Sequence, residues 1–316
     1  MAKALLKNPI LALLVLLGIL VFWGWAAPSN EGLRLSFPEG GLMRVWAPPA
    51  WAFSTWFSLL LDLASGVLFI LFLLKIDYLE NEWGWVGLQF FTVLFFVPEW
   101  RFGGIHHWAL LGFLFAVWQI QGLAHEKKLL VKGYDTGFLL GILPLLTPSF
   151  VFLPVVILLL AAVIGTLRIR TLFLFFLGLI SPIFLFVSIL FLIDGKAVNV
   201  QLLDDYRWFF PDFSFATADH FYGLAFSMVL TFGVALIPLE RGKLVFQRRI
   251  NQAFIFSALV LMGLGLFVGE GALSFWMMLV PFVAVGSARA ISSIRVWWLQ
   301  DSLLLLQWGL FFLMYL

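Results

Sequence analysis

The chain predicts an all-α fold, a polytopic bundle of transmembrane helices, and three observations carry that prediction. Hydrophobic residues fill 63% of the 316 positions, with a mean hydropathy of +1.06. Only 11% of residues are charged, too few to keep a soluble surface in water. The nineteen Lys and Arg residues also sort to two sides when successive apolar runs are threaded back and forth. With Lys3 and Lys7 placed in the cytoplasm, fourteen cations fall on the inner side and five on the outer, which is the positive-inside pattern.

A helix needs about 20 apolar residues to cross the hydrocarbon core. Reading apolar runs against charged breaks predicts about eleven spans, with the N-terminus cytoplasmic and the C-terminus outer. The first, 9–27, follows Lys3 and Lys7. Its length and the bulky Trp25 favour an uncleaved span over a signal peptide cut near Gly24-Trp25-Ala26. The second, 49–74, ends at Lys75 and carries Asp62 in its interior. Span 83–98 closes on Pro98, and 104–123 opens on His106 and His107. The run 136–166 is too long for one helix and contains Pro144, Pro148 and Pro154. Proline removes a backbone donor and crowds the preceding turn, so a hairpin of 136–147 and 149–166 is predicted, broken at Thr147-Pro148. Twelve residues reach only about 18 Å, which makes the first half a half-span or re-entrant helix. Spans 172–193, 221–239, 252–268, 272–288 and 297–316 complete the set.

The whole of 1–316 thus reads as one transmembrane domain with two long outer connections, 28–48 and 194–220. Trp46, Trp51, Trp100, Trp108, Trp208 and Tyr222 fall near the outer boundary, and Trp83, Trp85, Trp297 and Trp298 near the inner one, as belt residues do. Gly263 and Gly265, with Gly269 and Gly271, are expected to permit close helix packing. No internal repeat with matched broken helices is present, which weighs against an inverted-repeat transporter.

The inner connections carry a net charge of +8 and the outer ones −4. The partner implied is the bilayer itself, with a cationic inner face suited to anionic headgroups, and nothing resembles a nucleic-acid surface. Without cysteines there is no disulfide frame, thiolate metal site or Cys nucleophile.

No catalytic motif of the usual kinds occurs, so candidate chemistry rests on constellations. The outer connection 194–220 gathers Asp194, Asp204, Asp205, Asp212, Asp219 and His220, together with Arg207. Adjacent Asp204 and Asp205 repel when both are ionised, which suits a general base or a ligand for a divalent metal. Asp204, Asp205 and His220 are therefore the candidate catalytic residues. His106, His107 and Arg207 are the candidates for holding a phosphate or lipid headgroup. The plainer reading is a solvated loop with acids at a helix start. Asp62 is an intramembrane acid, which costs a few kcal/mol to bury and is a functional hypothesis by default. The alternative is a protonated Asp bonded to a neighbouring helix.

Glu126-Lys127-Lys128, then Tyr134-Asp135-Thr136-Gly137-Phe138 with Gly141, Arg168 and Arg170, then Gly178 and Pro182, resemble an uncharacterised family of polytopic inner-membrane proteins of Gram-negative bacteria. The resemblance covers roughly 84–190 and implies a bacterial cytoplasmic membrane and many helices, with no activity attached. The chain is more distantly similar to membrane glycosyltransferases that use polyprenyl-phosphate sugars, which also carry acids on outer loops. Their close acidic pair lies in the first outer loop, whereas here that loop has Glu31 and Glu39, and the close pair is Asp204-Asp205. The functional expectation is envelope biogenesis through transfer of a lipid-linked glycan at the outer leaflet. A non-enzymatic subunit that scaffolds an envelope complex with a membrane-protein partner is the second reading, and a transporter the third.

Overall fold

A computed structural model describes residues 15, 55–76, 83–97, 105–122, 129–146, 148–165, 168–194, 218–236, 245–267, 272–294 and 296–315. They form ten α-helices and one 3-10 helix, with no strand among them. In chain order the α-helices are α1 Thr55–Lys75, α2 Trp83–Phe95, α3 Ile105–Gly122, α4 Leu129–Leu146 and α5 Leu153–Ile164. They continue as α6 Ile169–Asp194, α7 Ala218–Leu236, α8 Val245–Phe267, α9 Ala272–Ser293 and α10 Trp297–Tyr315. Three stretches are long and apolar enough by themselves to cross a membrane: Phe57–Lys75, Ile169–Ile189 and Phe275–Ser293. The expected span 9–27 and the connections 28–48 and 194–220 lie outside the described residues, apart from 15, 194 and 218–220.

The centre of the bundle is α9, 83% of whose apolar window is buried. It packs against α2, α3, α7 and α8. The short α2 is buried from Gly84 to Phe95 on every side, so it has no lipid-facing surface. Aromatic rings knit these helices together: Phe69 of α1 meets Phe90 of α2 and Phe254 of α8, and Phe282 of α9 meets both Phe254 and Phe113 of α3. Centroid separations of 5.5 to 6.5 Å with tilted planes are the favoured aromatic geometry.

The most extensive helix pairing is α4 against α6. Gly133, Gly137 and Gly141 recur every four residues and line one face of α4. A β-carbon at Gly137 would strike the Phe175 carbonyl, one at Gly141 the Leu179 carbonyl, and one at Gly178 of α6 the Tyr134 carbonyl. The two backbones therefore touch, as small-residue stripes allow in membranes. The expectation for Gly263 and Gly265 fares differently. Gly263 has nothing within 4 Å of its β-position, whereas a β-carbon at Gly265 would lie 3.0 Å from the Trp276 ring of α9, a close helix contact; Gly269 and Gly271 lie outside the described residues. Apart from its α4 face, α6 is peripheral, with 17% of its window buried.

The hairpin break falls where proline predicts it. α4 ends at Leu146, a 3-10 turn runs Pro148–Phe152, and α5 follows. The extent of the first half is corrected: α4 begins at Leu129, so its 18 residues reach about 27 Å, although it is not among the three stretches apolar enough to cross by themselves. Lys132 and Asp135 lie inside this helix, not before it, because Lys132 Nζ donates to Gln119 Oε1 on α3 and Thr136 Oγ1 back-bonds to the Lys132 carbonyl at 2.7 Å. The same correction applies to α8, which begins at Val245 and includes Arg249, and to α9, which runs through Arg289 to Ser293. Arg289 donates to Asn251 Oδ1 of α8 at 2.5 Å.

These contacts place several cations at one end of the bundle. Lys75 lies 4.7 Å from the Trp118 ring, beside the Gln119 that holds Lys132. Gly133 packs on Thr171, next to Arg170, and Arg249 reaches the end of α5 at Gly165. Asp62 and His107 lie toward the opposite end, where α1 and α3 begin.

Candidate functional site

Residues four and seven apart share one face of a helix. On α1 this spacing aligns Ser58, Asp62 and Ser65, all three buried against the bundle. α3 runs alongside, pinned near its start by Trp108, whose ring lies 5.5 Å from that of Phe57. That register brings His107, in the first turn of α3, opposite Asp62. His107 Nδ1 and Asp62 Oδ1 are 2.8 Å apart, with residue exposures of 1% and 0%.

A carboxylate that accepts from Nδ1–H holds the imidazole in one orientation and one tautomer. It leaves Nε2 as the atom that takes or gives a proton. Burying either group alone in an apolar bundle is expensive, and the pairing offsets part of that penalty. The Ser58 and Ser65 hydroxyls are buried without a hydrogen-bond partner among the described residues. The α1 face thus carries an ion-pairing acid flanked by two hydroxyls, a composition that packing alone does not require.

The candidates from sequence are distributed as follows. Asp62 and His107, assigned to separate roles, form a single pair. His106 is their half-buried neighbour on α3, and His107 is too buried to sit on a headgroup-facing surface in this conformation. His220 lies in the first turn of α7. Asp204, Asp205 and Arg207 lie outside the described residues. Among the described residues no three metal-binding side chains cluster.

A second polar centre escapes a reading based on charges. Gln89 Oε1 of α2 accepts from Ser287 Oγ of α9 at 3.2 Å and from Gln307 Nε2 of α10 at 3.0 Å. Gln307 Nε2 also donates to Ser227 Oγ of α7 at 3.1 Å. Thr231, one turn on, donates to the Val283 carbonyl of α9 at 3.1 Å, and Trp85 Nε1 donates to the Ala288 carbonyl at 3.1 Å. The signal available in the sequence is the rarity of amide side chains inside apolar runs, since such groups need partners once water is gone. This centre ties four helices together; it contains no titratable group. The chain matches no protein-family model, no curated protein and no solved structure.

Proposed function

We propose that this chain is a multi-pass protein of the bacterial inner membrane, with about eleven spans, a cytoplasmic N-terminus and an outer C-terminus. We further propose that it serves envelope biogenesis by transferring a lipid-linked glycan at the outer leaflet. The observation that supports a chemical role most directly is the buried Asp62–His107 pair. In this reading His107 Nε2 accepts the proton of an acceptor hydroxyl, whose oxygen then bonds the sugar carbon as the lipid phosphate departs. Asp62 is the positioning residue. His107 lies in the first turn of α3, at the end of the helix that this reading places toward the outer leaflet. Asp204, Asp205, His220 and Arg207 would handle the phosphate and any divalent cation on the same side.

The second reading, a non-enzymatic subunit that scaffolds an envelope complex, draws on a different observation. The Gln89, Gln307, Ser227 and Ser287 cluster joins four helices through Gln89 Oε1 and Gln307 Nε2, as a scaffold's interior would.

Asparagine substitution separates the two. Asp62→Asn keeps an acceptor for Nδ1–H and removes the charge, and an Asp204→Asn/Asp205→Asn double variant does the same for the outer acids. As an enzyme, the protein should fail to complement a deletion strain with either variant while it still inserts and folds, with thermal unfolding lowered by no more than the loss of one hydrogen bond in Asp62→Asn. Full complementation by both variants refutes the catalytic reading and leaves the scaffold.

A further inference from the structure

We infer that the corner of the bundle where α8 meets the end of α5 and the start of α6 is a binding site for a single anionic phospholipid. This lies beyond the function proposed above and uses none of its residues.

The corner is built by local geometry. Gly165 ends α5 in the left-handed conformation, with φ at 84° and its N–H bonded to the Ala161 and Ala162 carbonyls. That cap turns the chain sharply. A β-carbon at Gly165 would lie 3.7 Å from Arg249 Nη1, so Arg249 of α8 reaches across the end of α5. Three residues on, Arg168 and Arg170 bracket the start of α6, both exposed. Thr171 packs on Gly133 of α4, which fixes the start of α6 against that helix, while Lys132 Nζ is turned to Gln119 of α3. Three guanidinium groups from α6, its leading residue and α8 thus lie around the end of α5 and the start of α6. Among the described residues Arg170 and Arg249 have no ion-pair partner, and the acid on this part of α4 is the half-buried Asp135.

Two further features point to phosphate. The first helical bond into α6 runs from the Leu172 N–H to the Arg168 carbonyl at 2.9 Å, so the N–H groups of Ile169, Arg170 and Thr171 have no helical acceptor. The Thr171 hydroxyl, 2% exposed, is buried without a hydrogen-bond partner in the same turn. Guanidinium forks and a helix start together suit a phosphodiester.

The apolar surface decides the source of that phosphate. Ile169 is 87% exposed and Phe173 67%, and they continue without a polar break into Phe176 and Leu177. A free anion would use the cations and leave this stripe idle. A phospholipid uses both, with its headgroup among the arginines and an acyl chain along α6.

The test is retention of lipid by the full chain purified in detergent and passed through nanodiscs of phosphatidylglycerol or phosphatidylcholine, read by native mass spectrometry. The wild type should retain one phosphatidylglycerol in clear preference to phosphatidylcholine. An Arg170→Gln/Arg249→Gln variant should lose that preference about ten-fold or more, by loss of two charge-assisted contacts. Removing cations also touches topology, so an Arg168→Lys/Arg170→Lys variant serves as the second arm. It keeps the charge and should still weaken retention by loss of the forked geometry. Equal retention of both lipids, or an unchanged preference in the Gln variant, overturns the proposal. So does inorganic phosphate at millimolar concentration displacing the retained lipid completely, which would make the corner a simple anion site.

Discussion

Deleting the imidazole of His107 should be the most damaging single change in this protein's interior, for a reason that a double-mutant cycle can isolate. His107→Ala strands the Asp62 carboxyl at 0% exposure, 2.8 Å from where its partner was. Breaking a buried pair from one side costs about 3–5 kcal/mol, because the remaining group loses its closest partner and gains no water in its place. Asp62→Ala should cost a similar amount by stranding the imidazole. The Asp62→Ala/His107→Ala double variant leaves neither member of the pair behind without the other, so it should be more stable than the sum of the singles by about 2 kcal/mol or more. Asp62→Asn retains an acceptor and should cost only about 1–2 kcal/mol, near the net value of one hydrogen bond. The assay is reversible unfolding in mixed micelles with increasing SDS, followed by tryptophan fluorescence. If the two single-variant costs add to within about 0.5 kcal/mol in the double, the groups are energetically independent and the pair is not the unit described here.

Two further outcomes follow from the packing and the charge map. Gly137→Ala drives a β-carbon into the Phe175 carbonyl and should destabilise by about 1–3 kcal/mol. Gly263→Ala, where nothing lies within 4 Å, should be neutral or stabilising by up to about 1 kcal/mol; equal costs at the two sites would contradict the α4–α6 interface. Reporter fusions after Lys132 and after Arg249 should read cytoplasmic and fusions near Asp204 outer, and an outer reading at Arg249 would overturn the topology.

Helix existence was legible where the physics is local. The break at Thr147-Pro148 follows from proline's missing donor, and the structure ends α4 one residue before Thr147. Helix extent was less legible because spans were read as stopping at charges. Lys132, Arg249 and Arg289 lie within helices, since long cationic side chains carry their charge away from the helix axis to a distant partner or to the boundary. Gly137 and Gly141 of the α4 stripe stand out in the sequence, but their role depends on which helix lies opposite, and Gly133 joins them only through its contact with Thr171.

The site divides along the same line. A single acid inside an apolar run is conspicuous by its desolvation penalty, so Asp62 stood out from sequence alone. Its partner did not, because periodicity reports which residues share a face and says nothing about which helix that face meets. His107 read as a boundary residue until α3 was seen to pack in register with α1. Gln89 and Gln307, 218 positions apart, carry no charge to mark them and meet only because α2 and α10 converge in the bundle. What the sequence alone determined was therefore the helical class and the presence of stretches apolar enough to cross a membrane, both sums over local free energies of transfer. What tertiary structure alone decided was pairing: which acid meets which imidazole, and which glycines meet which carbonyls. Pairing depends on contacts between residues distant in the chain, and no local term encodes them.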